Sequence, residues 1–292
     1  MTAKNIEFQV EPTIKIAAEA WGNPQDPVVI LLHGGGQTRH SWGKTAQTLA
    51  EQGWYAIAYD ARGHGKSSWS PEGNYSFAYL IQDLKVILSQ LEGTPALVGA
   101  SMGGLTSMLT QGETEEMLTS AVILVDVAPR VEQKGVERIF KFMSANMAEG
   151  FATLEEAADA VAAYLPHRTR PKTLTRLEKN LRKKEDGRYY WHWDPKILDS
   201  WKKSTPEQIL ADTQRMYDAA NNLKVPTLIV RGGMSDVVSE QVMAEFLDKV
   251  PHVRSVDVTG ARHMVAGDSN HTFSDAVIKF LKEVHPPQAS IT

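Results

Sequence analysis

Leu97-Val98-Gly99-Ala100-Ser101-Met102-Gly103-Gly104 is the stretch on which the fold turns. Ala96–Gly99 is an apolar run of the kind that forms a buried strand, and Met102–Gln111 carries helical periodicity. Ser101 therefore stands at a sharp strand-to-helix turn, in the pattern G-x-S-x-G. Chance produces the bare pattern in roughly one chain in ten of this composition, so its setting matters more than its letters. Small residues two positions to either side let strand and helix approach closely, and the serine between them is held in strained backbone geometry. The helix that follows aims backbone N–H groups and the positive end of its dipole toward negative charge developing beside the serine Oγ. Met102 N–H is the first candidate donor. The plainer alternative is a glycine-rich turn whose serine only caps the helix.

Outward from this turn, short runs rich in Val, Ile and Leu recur. The spacing predicts strands at Ile6–Val10, Ile14–Ala20, Val28–Leu32, Tyr55–Tyr59, Ala96–Gly99, Val122–Val125, Thr227–Arg231 and Arg254–Val258. Helical stretches alternate with them at Trp42–Gln52, Tyr75–Leu91, Met102–Gln111, Glu240–Val250 and Thr272–Val284. This is the pattern of an α/β protein with a mostly parallel eight-stranded sheet flanked by helices. From Arg130 to Asn222 the strand pattern stops, and helices are expected at Val131–Met147, Leu154–Tyr164, Thr173–Lys184 and Pro206–Ala220. Residues 130–222 therefore form an inserted helical cap on a core built from 1–129 and 223–292.

Composition narrows the function. With 292 residues, 42% of them hydrophobic, the chain can bury one large core plus a lid. A net charge of −4 offers no basic field for nucleic acid, so the expected partner is a small molecule. Oligomeric state is not legible. The absence of cysteine excludes disulfides, thiolate metal sites and cysteine nucleophiles. No metal or cofactor is expected. The start, MTAKNIEFQV, has no basic-then-apolar leader, and no later run is long enough to span a bilayer, so a cytoplasmic location is expected.

Three motifs recur in order at strand ends: His33-Gly34-Gly35-Gly36 after the third strand, Asp60-Ala61-Arg62-Gly63-His64-Gly65-Lys66-Ser67 after the fourth, and Gly99–Gly104 after the fifth. Together they resemble the α/β-hydrolase superfamily, in its serine-nucleophile, esterase- and lipase-like branch with a helical cap. The resemblance implies Ser101 as nucleophile, and Gly35 N–H as the second oxyanion donor beside Met102, with Gly34 or Gly36 as alternatives if the loop is shifted. His33 and His64 are read as loop scaffolding, because one His with one Asp and one Arg makes a poor metal constellation.

A serine hydroxyl needs an imidazole to take its proton and a carboxylate to orient that imidazole. Val258-Thr259-Gly260-Ala261-Arg262-His263-Met264-Val265 resembles the family's histidine loop, with Arg262 in place of the usual glycine, and makes His263 the base. His252, His271 and His285 sit where surface histidines are common. Asp236 follows the strand Thr227–Arg231, where the family places its carboxylate, and is preferred. Asp126, closing Val122–Val125, is the rival acid; alternatively it shapes the exit into the cap.

Trp191 and Trp193 of the aromatic run Tyr189–Asp194, with Trp42 and Met102, are candidate pocket residues; the equal alternative is that these aromatics only bury the cap against the core. The basic run Arg176 to Arg188 reads as a solvated helix face. The function expected from the whole is a serine hydrolase, a carboxylesterase acting on a small-molecule ester or lactone through an acyl-enzyme. Carbon–carbon bond hydrolysis, enol-lactone hydrolysis and cofactor-free peroxidase-like chemistry are alternatives on the same fold, and a non-catalytic ligand-binding protein is the alternative of another class. Serine at the elbow argues against the dehalogenase and epoxide hydrolase branches, which need a carboxylate there.

Overall fold

The fold is taken from a computed structural model, which describes residues 2–164, 174–201, 205–264 and 270–287. All eight expected sheet strands are present: β1 (Lys4–Glu11), β2 (Ile14–Trp21), β3 (Val28–Leu32), β4 (Tyr55–Tyr59), β5 (Ala96–Ala100), β6 (Ala121–Val125), and, after the insertion, β9 (Thr227–Gly232) and β10 (Arg254–Val258). Their order across the sheet is β1-β2-β4-β3-β5-β6-β9-β10. β1 and β2 run antiparallel to their neighbours and the other pairings are parallel.

Central β3, β5 and β6 are buried along their whole length, which is why they read as unbroken apolar runs rather than alternating ones. Alternate side chains still go to opposite faces. Val29, Leu31, Val98, Ile123 and Val230 pack against α1 (Gly43–Glu51) and α10 (Ser274–Val284). Ile30, Leu32 and Leu97 pack against α2 (Phe77–Ser89) on the other face. There Val122, Leu124 and Ile229 meet α3 (Met102–Gly112) and α9 (Glu240–Lys249). Edge strand β10 is largely exposed.

Between β6 and β9 the chain forms α4 (Gln133–Ser144), α5 (Leu154–Tyr164), α6 (Thr175–Glu178), β7 (Leu181–Lys183), β8 (Tyr189–Trp191), α7 (Ile197–Trp201) and α8 (Pro206–Asn221). The expectation of helices alone in this stretch is corrected by the antiparallel pair β7–β8. Most of the expected Thr173–Lys184 helix shortens to α6, and Thr173 lies outside the described residues. The physical reason is local: Tyr189, Tyr190 and Trp191 favour a strand, and Gly187, at φ +79°, closes the hairpin beside Asp186. α8 begins with a capping box, in which Thr205 and Gln208 exchange side-chain and backbone hydrogen bonds, with Pro206 in the first turn. Among the described residues no helix is long and apolar enough to cross a membrane.

Candidate active site

Ser101 sits between β5 and α3 at φ 48°, ψ −117°, a conformation a side-chain-bearing residue rarely adopts, at a cost of about 1–3 kcal/mol. Its N–H donates to the Val125 carbonyl at 3.1 Å, and its carbonyl receives the Leu105 N–H at 3.0 Å, so sheet and helix together hold the strained turn. Glycine is required on both sides. A Cβ on Gly99 would lie 2.3 Å from the Gly103 carbonyl carbon, and one on Gly103 would lie 2.6 Å from Leu32.

Parallel register brings the ends of β3, β4, β5 and β6 into one row, with Leu32 opposite both Tyr59 and Gly99, and Ala100 opposite Val125. The residues that follow, His33, Asp60, Ser101 and Asp126, therefore share the carboxyl edge of the sheet, where parallel α/β proteins bind ligands. Asp60 is fully buried and receives the Arg39 N–H (2.7 Å), the Lys66 N–H (2.9 Å) and the Arg39 guanidinium. Arg62 is anchored by Asp83 and Glu11. These ion pairs are internal to the loop and its supports.

In the glycine loop, Gly34 lies against Ser101: a Cβ there would stand 3.3 Å from the Ser101 Cβ. Gly34 N–H donates to Gln37 Oε1 at 3.0 Å, and Gly36 N–H donates to His64 Nε2 at 3.3 Å. Gly35, between them, keeps an N–H for which no such bond is formed among the described residues. Both histidines are buried, and burial drives His33 below the ordinary histidine range and His64 down to about 3. Each therefore works as a neutral ring, as scaffolding requires.

His263 is buried, and its Nδ1–H donates to Asp126 Oδ2 at 2.8 Å. Asp126 also accepts the Gly232 N–H on Oδ1 and the Ser235 hydroxyl on Oδ2, each at 2.8 Å. At φ 53° it occupies the left-handed region, which Asp tolerates better than most residues. The preferred acid, Asp236, is not brought to His263; its side chain is one-third exposed and pairs with Arg138 of α4 at 3.2 Å. It lies four residues beyond the end of β9, where the chain has already turned outward. Sequence reasoning missed Ser235 and Gly232 as partners of the carboxylate, and no spacing signal marks them. Val265, quoted in the histidine loop, lies outside the described residues.

A cavity of about 920 Å³ opens beside this edge, under α4 and α8. Its apolar wall includes Met102, Leu105, Leu109, Leu80, Phe77 and Met216. Three expected pocket residues line no part of it. Trp42 is fully buried in the core with Ala46 and Leu49. Trp193 stacks on Trp191 at 4.8 Å, and Phe151 meets Trp191 edge-on at 5.1 Å. These rings serve packing because large aromatic faces gain most by covering one another. Of the basic run, Lys183 and Lys184 lie over the rings of Tyr189 and Tyr190, and Arg182 over Trp69. Among the described residues no group of three or more His, Asp or Glu side chains converges as a metal site would need.

A serine on a strained strand-to-helix turn, at the carboxyl edge of a parallel sheet with a buried His–Asp pair, is the arrangement of the α/β-hydrolases. A family model described as serine aminopeptidase, S33, matches residues 23–270, and the chain belongs to that family. It is 30% identical over 268 residues to the esterase Rv0045c of Mycobacterium tuberculosis, covering 90% of this chain and 85% of that one. It is 27% identical over 257 residues to a 3-hydroxybutyrate-oligomer hydrolase of Cupriavidus necator, covering 85% and 87%. A crystal structure of the mycobacterial esterase superposes with a TM-score of 0.71 at 27% identity, covering 97% and 92%. The fold likewise matches an E-2-(acetamidomethylene)succinate hydrolase, with a TM-score of 0.81 at 22% identity, covering 96% and 100%. These kinships set the chain among ester-cleaving α/β-hydrolases.

Proposed function

We propose that this chain is a serine esterase in which Ser101, His263 and Asp126 act as nucleophile, base and orienting acid. The observation that carries the assignment is the 2.8 Å bond from His263 Nδ1 to Asp126, buried at the sheet edge that also bears Ser101. With Nδ1–H committed to the carboxylate, Nε2 keeps its lone pair and takes the Ser101 hydroxyl proton as Oγ attacks the ester carbonyl. The carbonyl oxygen gains negative charge and is met by the Gly35 and Met102 N–H groups. Collapse breaks the bond to the alkoxide, which receives the proton from His263 and departs as the alcohol. Water, deprotonated by the same Nε2, then attacks the acyl-enzyme; the bond to Ser101 Oγ breaks, Oγ takes the proton back from His263, and the carboxylic acid is released.

Residues 130–222 act as a cap over the sheet edge, with α4 and α8 roofing the cavity. Met102 supports this reading because the residue whose backbone is the proposed donor also lines the cavity. An apolar wall of this kind suits an ester, or a lactone, with a hydrocarbon portion. The test is hydrolysis of a nitrophenyl ester series and labelling by a fluorophosphonate, each beside Ser101→Ala. Turnover and labelling that vanish in the variant are expected. Turnover that survives in Ser101→Ala, or no turnover in the unaltered protein across ester and lactone panels, would refute the reading.

A further inference from the structure

Two histidines outside the proposed relay fasten each other's loops. His33, following β3, accepts the Ala61 N–H on Nε2 at 2.9 Å and donates from Nδ1 to the Gly34 carbonyl at 2.7 Å. His64, on the loop after β4, accepts the Gly36 N–H on Nε2 at 3.3 Å and donates from Nδ1 to the Arg62 carbonyl at 3.2 Å. The rings meet edge-on at 5.0 Å and both are buried. Each loop thus contributes a ring that accepts a backbone N–H of the other.

The consequence falls on Gly35. Peptide planes are rigid, so the direction of one N–H in a tight turn is set by the planes on either side. Gly34 N–H is held by Gln37 and Gly36 N–H by His64, leaving the Gly35 N–H fixed between two anchored peptides. Glycines resist twisting less than any other residue, so three in succession need an outside anchor to keep one donor aimed. His64 supplies it on the Gly36 side, because a neutral ring with its proton on Nδ1 offers an acceptor at Nε2; on the other side the Gly34 carbonyl, in the same peptide plane as the Gly35 N–H, accepts from Gln37 N–H at 3.0 Å and His33 Nδ1 at 2.7 Å.

We propose that His64 is a positioning residue of the oxyanion site, acting through Gly36 to aim the Gly35 N–H at the substrate oxygen. The proposal rests on the esterase reading above. The same residue joins the site to the inserted segment: His64 forms a β-bridge with Trp193, through Gly65 N–H to the His192 carbonyl and Asp194 N–H to the Gly63 carbonyl, both at 2.8 Å. The seating of the insertion is therefore coupled to the donor loop through His64, beside a direct bond from Thr38 Oγ1 to Asn180 Oδ1 at 3.2 Å.

Three substitutions separate positioning from packing. His64→Gln carries an amide oxygen near the place of Nε2, His64→Asn reaches only the place of Nδ1, and His64→Phe keeps the ring without an acceptor. His64→Asn and His64→Phe are expected to lower kcat by about 10- to 100-fold with KM within about twofold, somewhat less than deletion of an oxyanion donor costs. Inhibition by a trifluoromethyl ketone, whose adduct places an oxyanion in the same site, should weaken by a similar factor, and His64→Gln should recover most of both. The assays are run well below each variant's melting midpoint, and if His64→Phe does not fold, the Gln and Asn variants carry the comparison. A kcat in His64→Asn equal to that of the unaltered protein, or equal losses in the Gln and Asn variants, would overturn the proposal. Absence of Ser101-dependent turnover in the unaltered protein would remove the esterase reading, and this proposal with it.

Discussion

His263 donates its Nδ1–H to Asp126 at 2.8 Å across 137 residues of chain. Asp126 also accepts from Gly232 N–H and Ser235 Oγ, so three donors converge on one carboxylate. An amide in its place cannot accept all three, because its NH₂ end would face a donor. Asp126→Asn should lower kcat by about 10³- to 10⁴-fold, through a misdirected imidazole, with the fold retained. Asp236→Asn loses only a part-exposed ion pair with Arg138 and should stay within about twofold in kcat, since such pairs contribute roughly 0–1 kcal/mol. Steady-state kinetics of both variants on one ester check this, and loss confined to Asp236→Asn would reverse the assignment.

Acid should destabilise the fold through the buried histidines. His64 is held down to about 3 by burial, and His33 is lowered for the same reason, against an unfolded value of 6.5. The unfolded chain therefore binds protons that the folded chain refuses. For His64 the stability is fully present above about pH 6.5 and is lost as pH falls toward 3, and His33 contributes in the same direction. Denaturant unfolding from pH 7 down to 4 measures the slope. His64→Gln should flatten it by about one proton, and an unchanged slope would contradict the burial argument.

Chain-length preference should follow the cavity. Leu105 follows Ser101 by one helical turn and lines the wall under α8. Leu105→Trp fills that space and should shift the ratio of octanoate to acetate ester turnover by more than about tenfold toward acetate, given the roughly 10- to 200-fold discrimination available per methylene. A nitrophenyl ester series reads the ratio directly. A ratio that does not move would detach the cavity from the substrate.

Two glycines with similar backbone conformations should respond differently to a methyl group. A Cβ on Gly65, φ +52°, would stand 2.1 Å from the buried Asp60 carboxylate, whereas one on Gly187, φ +79°, meets nothing within 4 Å. Gly187→Ala should cost only the left-handed strain of about 1–2 kcal/mol. Gly65→Ala adds overpacking of about 1–3 kcal/mol or more and displaces the carboxylate that orders the Arg39 and Lys66 amides. Thermal melts of the pair test this, and equal shifts would mean that conformation alone decides.

The sheet and the tight turn at Ser101 were legible because their determinants are local. Unbroken apolar runs gave the buried strands, and Gly99, Ser101 and Gly103 carried the constraint of a turn too tight for any Cβ at the flanking positions. The scaffolding role of His33 and His64 was also open to sequence reasoning, since neither has the partners a metal site needs. The β7–β8 hairpin was not read, although Asp186-Gly187 beside Tyr189–Trp191 carried its signal, because the surrounding stretch is dominated by helical periodicity.

What the sequence determined by itself is the family of the fold and the residue types at its sheet edge, because strand period, turn sterics and nucleophile chemistry act over a few neighbouring positions. Tertiary structure alone decided which carboxylate meets His263. Asp126 and Asp236 both come after strands, but Asp126 directly follows β6 and is turned by a positive φ into the sheet edge, whereas Asp236 lies four residues past β9 and swings out to Arg138. It also decided that Trp42, Trp191 and Trp193 cover other rings and core residues while Leu105 and Met216 line the cavity. Which face a side chain presents depends on partners far along the chain, and no local pattern encodes where those partners come to lie.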